Sequence, residues 1–260
     1  MSFSSKMYPG EIIVDHSTHS DITHQGEYGR GYEAPTGFGS VASEFPQALM
    51  IPENDVPAMI QEIEERGMRQ SERMINAQIP PKDQQQTNYC WGNAPAHAME
   101  WHRMLQGQSY KALSAASVCA PINSFRNQGG SGTDALEYMS EFGINTEEEW
   151  PANAIDRRLY TAENKQKAMK NRATQWIRIT TKAQLTSYLL RLQGITSVGY
   201  PWWSHEVSCV EPIMLDGVVA YRDRNNWGKQ FGYNGFFIVR GSRMNFDECI
   251  APLLVTPNES

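Results

Sequence analysis

Residues 83–93 read DQQQTNYCWGN, and their meaning turns on Cys90. A lone cysteine is commonly a small apolar core residue, so the tryptophan and thiol prove nothing by themselves. A thiol attacks a carbonyl only as thiolate, and a helix N-terminus and a nearby imidazolium are the usual means of lowering its pKa. AHAMEWHRMLQ, residues 96–106, continues as a helix from the cysteine, so the helix dipole points the right way. A base, a group to orient it and donors for an oxyanion must come from elsewhere in the chain.

The chain has six histidines. His16, His19 and His24 lie near the N-terminus, and His97 and His102 ride on the helix that Cys90 opens, which assigns them to surface or packing positions. His205 is left, at the start of an expected strand in PWWSHEVSCV (201–210), and RNNWGKQFGYNGFFIVR (224–240) follows it.

Composition bounds the rest. The chain has 260 residues, 40% of them hydrophobic and 20% charged, with a formal charge of −6. No Lys/Arg run is present, which argues against nucleic acid or an anionic membrane surface as partner. No apolar stretch spans a bilayer, and MSFSSKMYPGEIIVDHSTHSD carries no secretory signal pattern. Cys90, Cys119, Cys209 and Cys249 are irregularly spaced without a CxxC pair, which argues against a zinc site or a disulfide framework. A cytoplasmic protein is expected, or one that leaves inside a particle assembled there.

Residues 1–54 read as a polar arm rich in Gly, Ser, Thr and His, of which GEYGRGYEAPTGFGS is typical. His16, His19, Asp21 and His24 fall close together, but no second cluster supports them and no metal is expected. A linking helix is expected over 55–77, with Asp55 as cap, Pro57 in the first turn and Glu62–Arg66 and Glu65–Arg69 pairs at i,i+4. IPPKDQ (79–84) breaks it. From about 90 to 192 the pattern is mainly helical: TDALEYMSEFG is capped by Thr133 or Asp134 and stopped by Gly143, and TKAQLTSYLLRLQG sets Leu185, Tyr188, Leu189 and Leu192 on one face. From about 193 to 245 the period changes to short strands: ITSVGY, HEVSCV, GVVAYRD and GFFIVR. A helical half followed by a strand half predicts an α+β fold of two lobes with a cleft between them.

Several stretches in this order resemble the papain-type cysteine peptidases. KDQQQTNYCW is similar to that family's Lys-Asn-Gln…Cys-Trp segment, with Gln84 six positions before Cys90, and Glu100 matches a glutamate on the same helix. ALSAASVCA (112–120), QGGSGTDALEYMSEFGINTEEEWP (128–151), His205 with Val207, NNWG (225–228) and FGYNGFF (231–237) match further motifs. The resemblance covers roughly residues 78–243. It implies a papain-like two-lobed fold over 78–260, a helical lobe and a β-barrel-like lobe, with the arm as an N-terminal extension.

The resemblance also implies roles. Cys90 is the expected nucleophile and His205 the base, forming a thiolate–imidazolium pair; Asn225 orients the imidazole, with Asn226 as the alternative. Gln84 and the Cys90 N–H are the expected oxyanion donors, and losing one such donor costs ~3–4 kcal/mol of transition-state stabilisation. Trp227 is expected over the His205–Asn225 bond. Gly129 and Gly130 either offer backbone to an extended substrate or simply make a turn. The implied partner is a peptide or protein substrate, and the implied cofactor is none.

The sequence departs from the family in four ways. Thr87 and Asn127 stand where the secreted members place disulfide cysteines. Gly92 and Pro95 weaken the Cys90 helix. Glu206 replaces a small residue beside the specificity pocket, where it favours basic side chains, raises the histidine pKa or points to solvent. Residues 1–75 lack the helix pattern of the secreted propeptides, so the arm is a different gate over the cleft or an anchor for an assembly partner, as in phage virion proteins. The leading expectation is therefore a thiol endopeptidase; the alternative is a papain-fold structural or virion-associated protein with a vestigial site.

Overall fold

The computed structural model describes residues 4–17, 28–37 and 42–255. The linking segment folds as two helices, α1 (Val56–Glu65) and α2 (Gln70–Asn76), rather than one. Gly67, at φ +61°, makes the break. Tertiary partners decide it: Gln70 Nε2 donates to the carbonyls of Gly194 and Val210, and Ser71 Oγ to Glu211. Glu62–Arg66 forms as an exposed pair at 2.9 Å, whereas Arg69 turns to Glu64 and Glu211 instead of Glu65.

Helix α3 (Cys90–Leu105) is buried from Cys90 through Arg103, and its polar members Asn93, His97, Glu100 and Arg103 are accordingly hydrogen-bonded or ion-paired within the protein. Neither residue that weakens it prevents it. Pro95 lacks only its own N–H, and Gly92 is where helix α4 (Ala116–Ile122) comes close: a Cβ there would lie 2.2 Å from Cys119 Sγ. Helix α5 (Gly132–Glu141) is capped by Ser131, whose Oγ accepts from Asp134 N, rather than by Thr133 or Asp134. Thr133 is drawn away by Glu248, which accepts from its N–H and hydroxyl. Helices α6 (Ala162–Ala168) and α7 (Lys182–Leu192) follow; on α7, Leu185, Tyr188 and Leu189 are buried and Leu192 is exposed.

Among the described residues the strands form one eight-stranded sheet, order β1-β7-β6-β5-β4-β8-β3-β2. Four expected strands are present as β4 (Thr196–Tyr200), β5 (His205–Leu215), β6 (Val218–Arg224) and β7 (Phe236–Val239). Two more, β3 (Ala173–Arg178) and β8 (Glu248–Val255), pair with each other; β3 interrupts the stretch read as helical, burying Trp176 and Ile177. The arm supplies both edges: β1 (Ile12–Val14) runs parallel to β7, and β2 (Ala42–Glu44) parallel to β3. Residues 28–37 therefore belong to a segment whose two flanking strands lie at opposite ends of the sheet.

Two large apolar cores result, one around Trp91, Met99, Leu136 and Trp150, the other around Trp203, Val207, Tyr221 and Phe237. Cys90 sits in the first and His205 opens β5 above the second. The segment that carries Gln84 is fixed by a buried ion pair: Lys82 Nζ lies 2.5 Å from Glu100 Oε1 and donates to Leu113 O, while Glu100 also accepts from Leu113 N.

Candidate active site

Cys90 is the first residue of α3 and wholly buried. His205 Nε2 lies 2.8 Å from Asn225 Oδ1, which leaves Nδ1 without a hydrogen-bond partner. Asn226 takes a different task, donating its side-chain amide to Glu206 O at 2.8 Å, so Asn225 is the one at the imidazole. Trp227 packs its ring on His205 at 4.8 Å between centroids, and Trp203 meets the same imidazole edge-on at 4.7 Å. Gln84 is wholly buried; its backbone N–H bonds Asn226 O, and its Nε2 donates to Thr87 O. The Gln84, Cys90, His205, Asn225 and Trp227 side chains expected at the site come from three stretches distant in sequence, and direct contacts join Gln84 to Asn226 and His205 to Asn225 and Trp227.

The arm lies in this site. Tyr28 stacks on Trp227 at 5.2 Å. Gln84 Nε2 donates to Gly29 O at 2.9 Å, and Gly31 N–H donates to Cys90 Sγ at 3.3 Å. Gly130 N–H donates to Gly31 O and Glu33 N–H to Gly130 O, both at 2.9 Å, a parallel bridge between Tyr32 and Gly130. Side chains would prevent these approaches: a Cβ on Gly31 would lie 2.2 Å from Asn88 O, one on Gly29 2.1 Å from Thr87 O, and one on Gly129 2.5 Å from Gly31 O. Gly130 is closed in by Trp91, 2.8 Å from a Cβ placed there. Gly130 therefore offers its backbone to an extended segment, the chain's own residues 28–33 (the strap), while Gly129 only packs against it and gives its carbonyl to Asn123 Nδ2.

Burial beneath the strap sets the charge state. Loss of water pushes the Cys90 thiol up to about 12, with the Glu206 carboxylate adding to the shift, and pushes the His205 imidazole down to about 3. Both shifts have the same first cause, desolvation, which favours the neutral thiol and the neutral imidazole over their charged forms in this covered arrangement. Glu206 is wholly buried, which removes its solvent-facing reading.

Gly29, Gly31 and Tyr32 were not among the residues the sequence put at the site. Their signal is the alternation of glycines in YGRGYE (28–33), which suits an extended backbone held close on both sides. Among the described residues no group of three His, Cys, Asp or Glu is arranged to hold a metal ion. His16 is described, whereas His19, Asp21 and His24 lie outside the described residues. No described helix is long and apolar enough to cross a membrane.

The chain is 24% identical to cathepsin S of Rattus norvegicus over 189 residues, 62% of this chain and 56% of that protein, so the match spans little more than half of the relative's length. The fold is similar to that of xylellain, a cysteine protease from Xylella fastidiosa (TM-score 0.62, 16% identity, 88% of this chain and 98% of that one). It is also similar to procathepsin B S9 from Trypanosoma congolense (TM-score 0.65, 14% identity, 86% of each chain) and to digestive procathepsin L 3 of Tenebrio molitor (TM-score 0.60, 16% identity, 91% and 79%). The mixed α/β fold with its large sheet is therefore papain-like. The sequence pattern described as papain family cysteine protease matches residues 67–200, just over half of the chain and inclusive of Gln84, Cys90, Gly129 and Gly130. The chain belongs to the papain family of cysteine proteases.

Proposed function

We propose that this chain is a cysteine endopeptidase that holds itself latent with residues 28–33. The observation that carries the reading is the strap itself: the cleft binds an extended polypeptide, with a peptide carbonyl on Gln84 Nε2 and a peptide N–H on Cys90 Sγ. Peptide or protein substrates are the class that such main-chain contacts recognise. In the uncovered enzyme Cys90 gives its proton to His205 and attacks the scissile carbonyl carbon. Negative charge develops on the carbonyl oxygen, where Gln84 Nε2 and the Cys90 N–H donate. His205 then returns the proton to the departing amine, leaving a thioester. Water, deprotonated by His205, cleaves the thioester to acid and free thiol. Asn225 keeps the imidazole oriented throughout, and Trp227 shields that hydrogen bond.

The strap occupies this machinery without being its substrate, because the group hydrogen-bonded to Sγ is an amide N–H rather than a carbonyl carbon under attack. The second reading, an assembly arm on a vestigial site, draws no support from these contacts. The described arm residues engage their own domain, through β1 and β2, the strap, and a buried Glu11–Arg222 pair at 2.5 Å.

The test uses Gly31→Ala, which cannot seat the strap, and Gly31→Ala/His205→Ala. Hydrolysis of denatured casein by the first and its loss in the second is the expected result. A Gly31→Ala protein whose Cys90 is readily alkylated yet cleaves no peptide bond would overturn the proposal.

A further inference from the structure

The arm meets the domain in three places that differ in kind. Residues 5–15 are built into it. β1 lies along β7, and Val14 is wholly buried in the core around Trp203. Ser5 N–H donates to Met214 O, and Ser5 Oγ accepts from Met214 N–H. Arg222 of β6 is wholly buried and turned to this segment: its Nε and Nη2 donate to the Glu11 carboxylate at 2.5 and 3.1 Å, and Nη2 also donates to Lys6 O at 2.9 Å. Its Nη1 takes Glu211, and the Tyr8 ring lies 4.6 Å from the guanidinium. Without residues 5–15 a buried guanidinium would keep one of its two carboxylates, and β7 would be a bare sheet edge.

Residues 42–51 are built in at the other end. β2 lies along β3, and Phe45 joins the same core as Val14. Ile51 N–H donates to Ser187 Oγ at 3.0 Å, and Arg191 Nε to Leu49 O at 2.9 Å. The strap is different. Of residues 28–37 Tyr32 alone is buried, and the hydrogen bonds to Gln84, Cys90 and Gly130 engage groups that a bound polypeptide would take over. The covalent chain also has slack: residues 15–41 reach roughly 90 Å when extended, against roughly 35 Å across an eight-stranded sheet.

We propose that the active enzyme keeps its arm. The strap leaves the cleft while residues 5–15 stay on β7 and residues 42–51 stay on β3, and residues 5–15 remain bound even when the chain between them and the domain is cut. The proposal rests on the peptidase reading for what the opened cleft does, but retention itself needs no catalysis. β1 borders the hairpin of β6 and β7 whose turn carries Asn225 and Trp227, so the cleft opens with that hairpin still edged.

The test cuts the chain after it has folded. In the full chain, residues 28–33 are replaced by the six-residue recognition sequence of a site-specific protease, and the purified protein is cut there and gel-filtered under native conditions. The N-terminal fragment should co-elute with the domain in equal amount and come away only in denaturant, as read by mass spectrometry. A fragment that separates from a domain still folded by circular dichroism overturns the proposal. Glu11→Gln in the cut protein should speed fragment loss at least about tenfold, since it weakens the buried pair with Arg222; an unchanged rate overturns the anchoring by Arg222. Hydrogen exchange in the intact wild type needs no cut. The N–H groups of Gly29 and Gly31 should exchange at least about a hundredfold faster than those of residues 12–14, and a common rate would mean that the arm opens as one unit, which overturns the proposal. Casein hydrolysis by the cut protein separates the two readings. Activity after the fragment is lost sinks retention alone, whereas a retained fragment on an inactive domain sinks the peptidase and leaves retention.

Discussion

Gly31 N–H and Cys90 Sγ are hydrogen-bonded at 3.3 Å, so the thiol is held by a residue 59 positions earlier in its own chain. That bond joins reactivity to the strap: whatever lifts residue 31 changes the hydration, and hence the charge, of Cys90.

The first expectation concerns alkylation of Cys90 by iodoacetamide. With its pKa pushed up to about 12, the thiol carries little thiolate at neutral pH, and the fraction rises about tenfold per pH unit below the pKa. The wild-type rate should climb through pH 10 without a plateau. Gly31→Ala removes the desolvation and should react at least about tenfold faster at pH 7, levelling off at lower pH. Identical profiles for the two proteins would show that the strap does not control the thiol.

Gln84→Ala, made in the Gly31→Ala background, should lower kcat by roughly 10²–10³ with a smaller change in KM, since a donor to a developing oxyanion acts mainly in the transition state. Steady-state kinetics on one peptide decides it. A rise in KM at constant kcat would reduce Gln84 to a ground-state contact.

Lys82 and Glu100 are both buried, 2.5 Å apart. Glu100→Gln leaves the ammonium with the half-buried Glu147 at 2.9 Å as its remaining anionic partner. The expected loss is about 3 kcal/mol or more in denaturant unfolding, because an uncompensated buried charge keeps its desolvation penalty. Lys82→Met/Glu100→Leu should recover part of that loss, since it removes both charges at once.

Asp223 is buried on β6 and accepts from Tyr200 Oη at 2.7 Å, while its Oδ1 has no partner. Burial raises its pKa from 3.8 to about 7. The folded state therefore holds the proton more tightly than the unfolded chain. The stabilisation is full below about pH 4 and is lost as pH rises toward 7, at up to about 1.4 kcal/mol per pH unit. Asp223→Asn keeps an acceptor for Tyr200 and cannot ionise. Its melting temperature should exceed that of wild type at pH 8, with the gap closing toward pH 4. A constant gap would mean that Asp223 is not the group titrating.

How far the sequence reaches differs between the catalytic groups and their surroundings. Gln84, Cys90, His205, Asn225 and Trp227 were legible through the resemblance of their flanking motifs, taken in order, to the papain-type peptidases, and the four strands from Thr196 onward through their own local pattern. The break at Gly67, the cap at Ser131 and strand β3 were not, because Gln70, Thr133 and Trp176 answer to partners far along the chain. The arm shows the limit best. Its glycine-rich composition describes a polar segment with little apolar drive of its own, and in isolation that is what it is. Its place in the cleft comes from hydrogen bonds that exist only after Gln84, Cys90 and Gly130 have been brought together, and from edges of a sheet that no short stretch contains. Sequence determined which chemistry the chain carries, because a thiol, an imidazole and two amides are properties of residues. Tertiary structure decided the state in which they are held, because exclusion of water is a property of what packs over them.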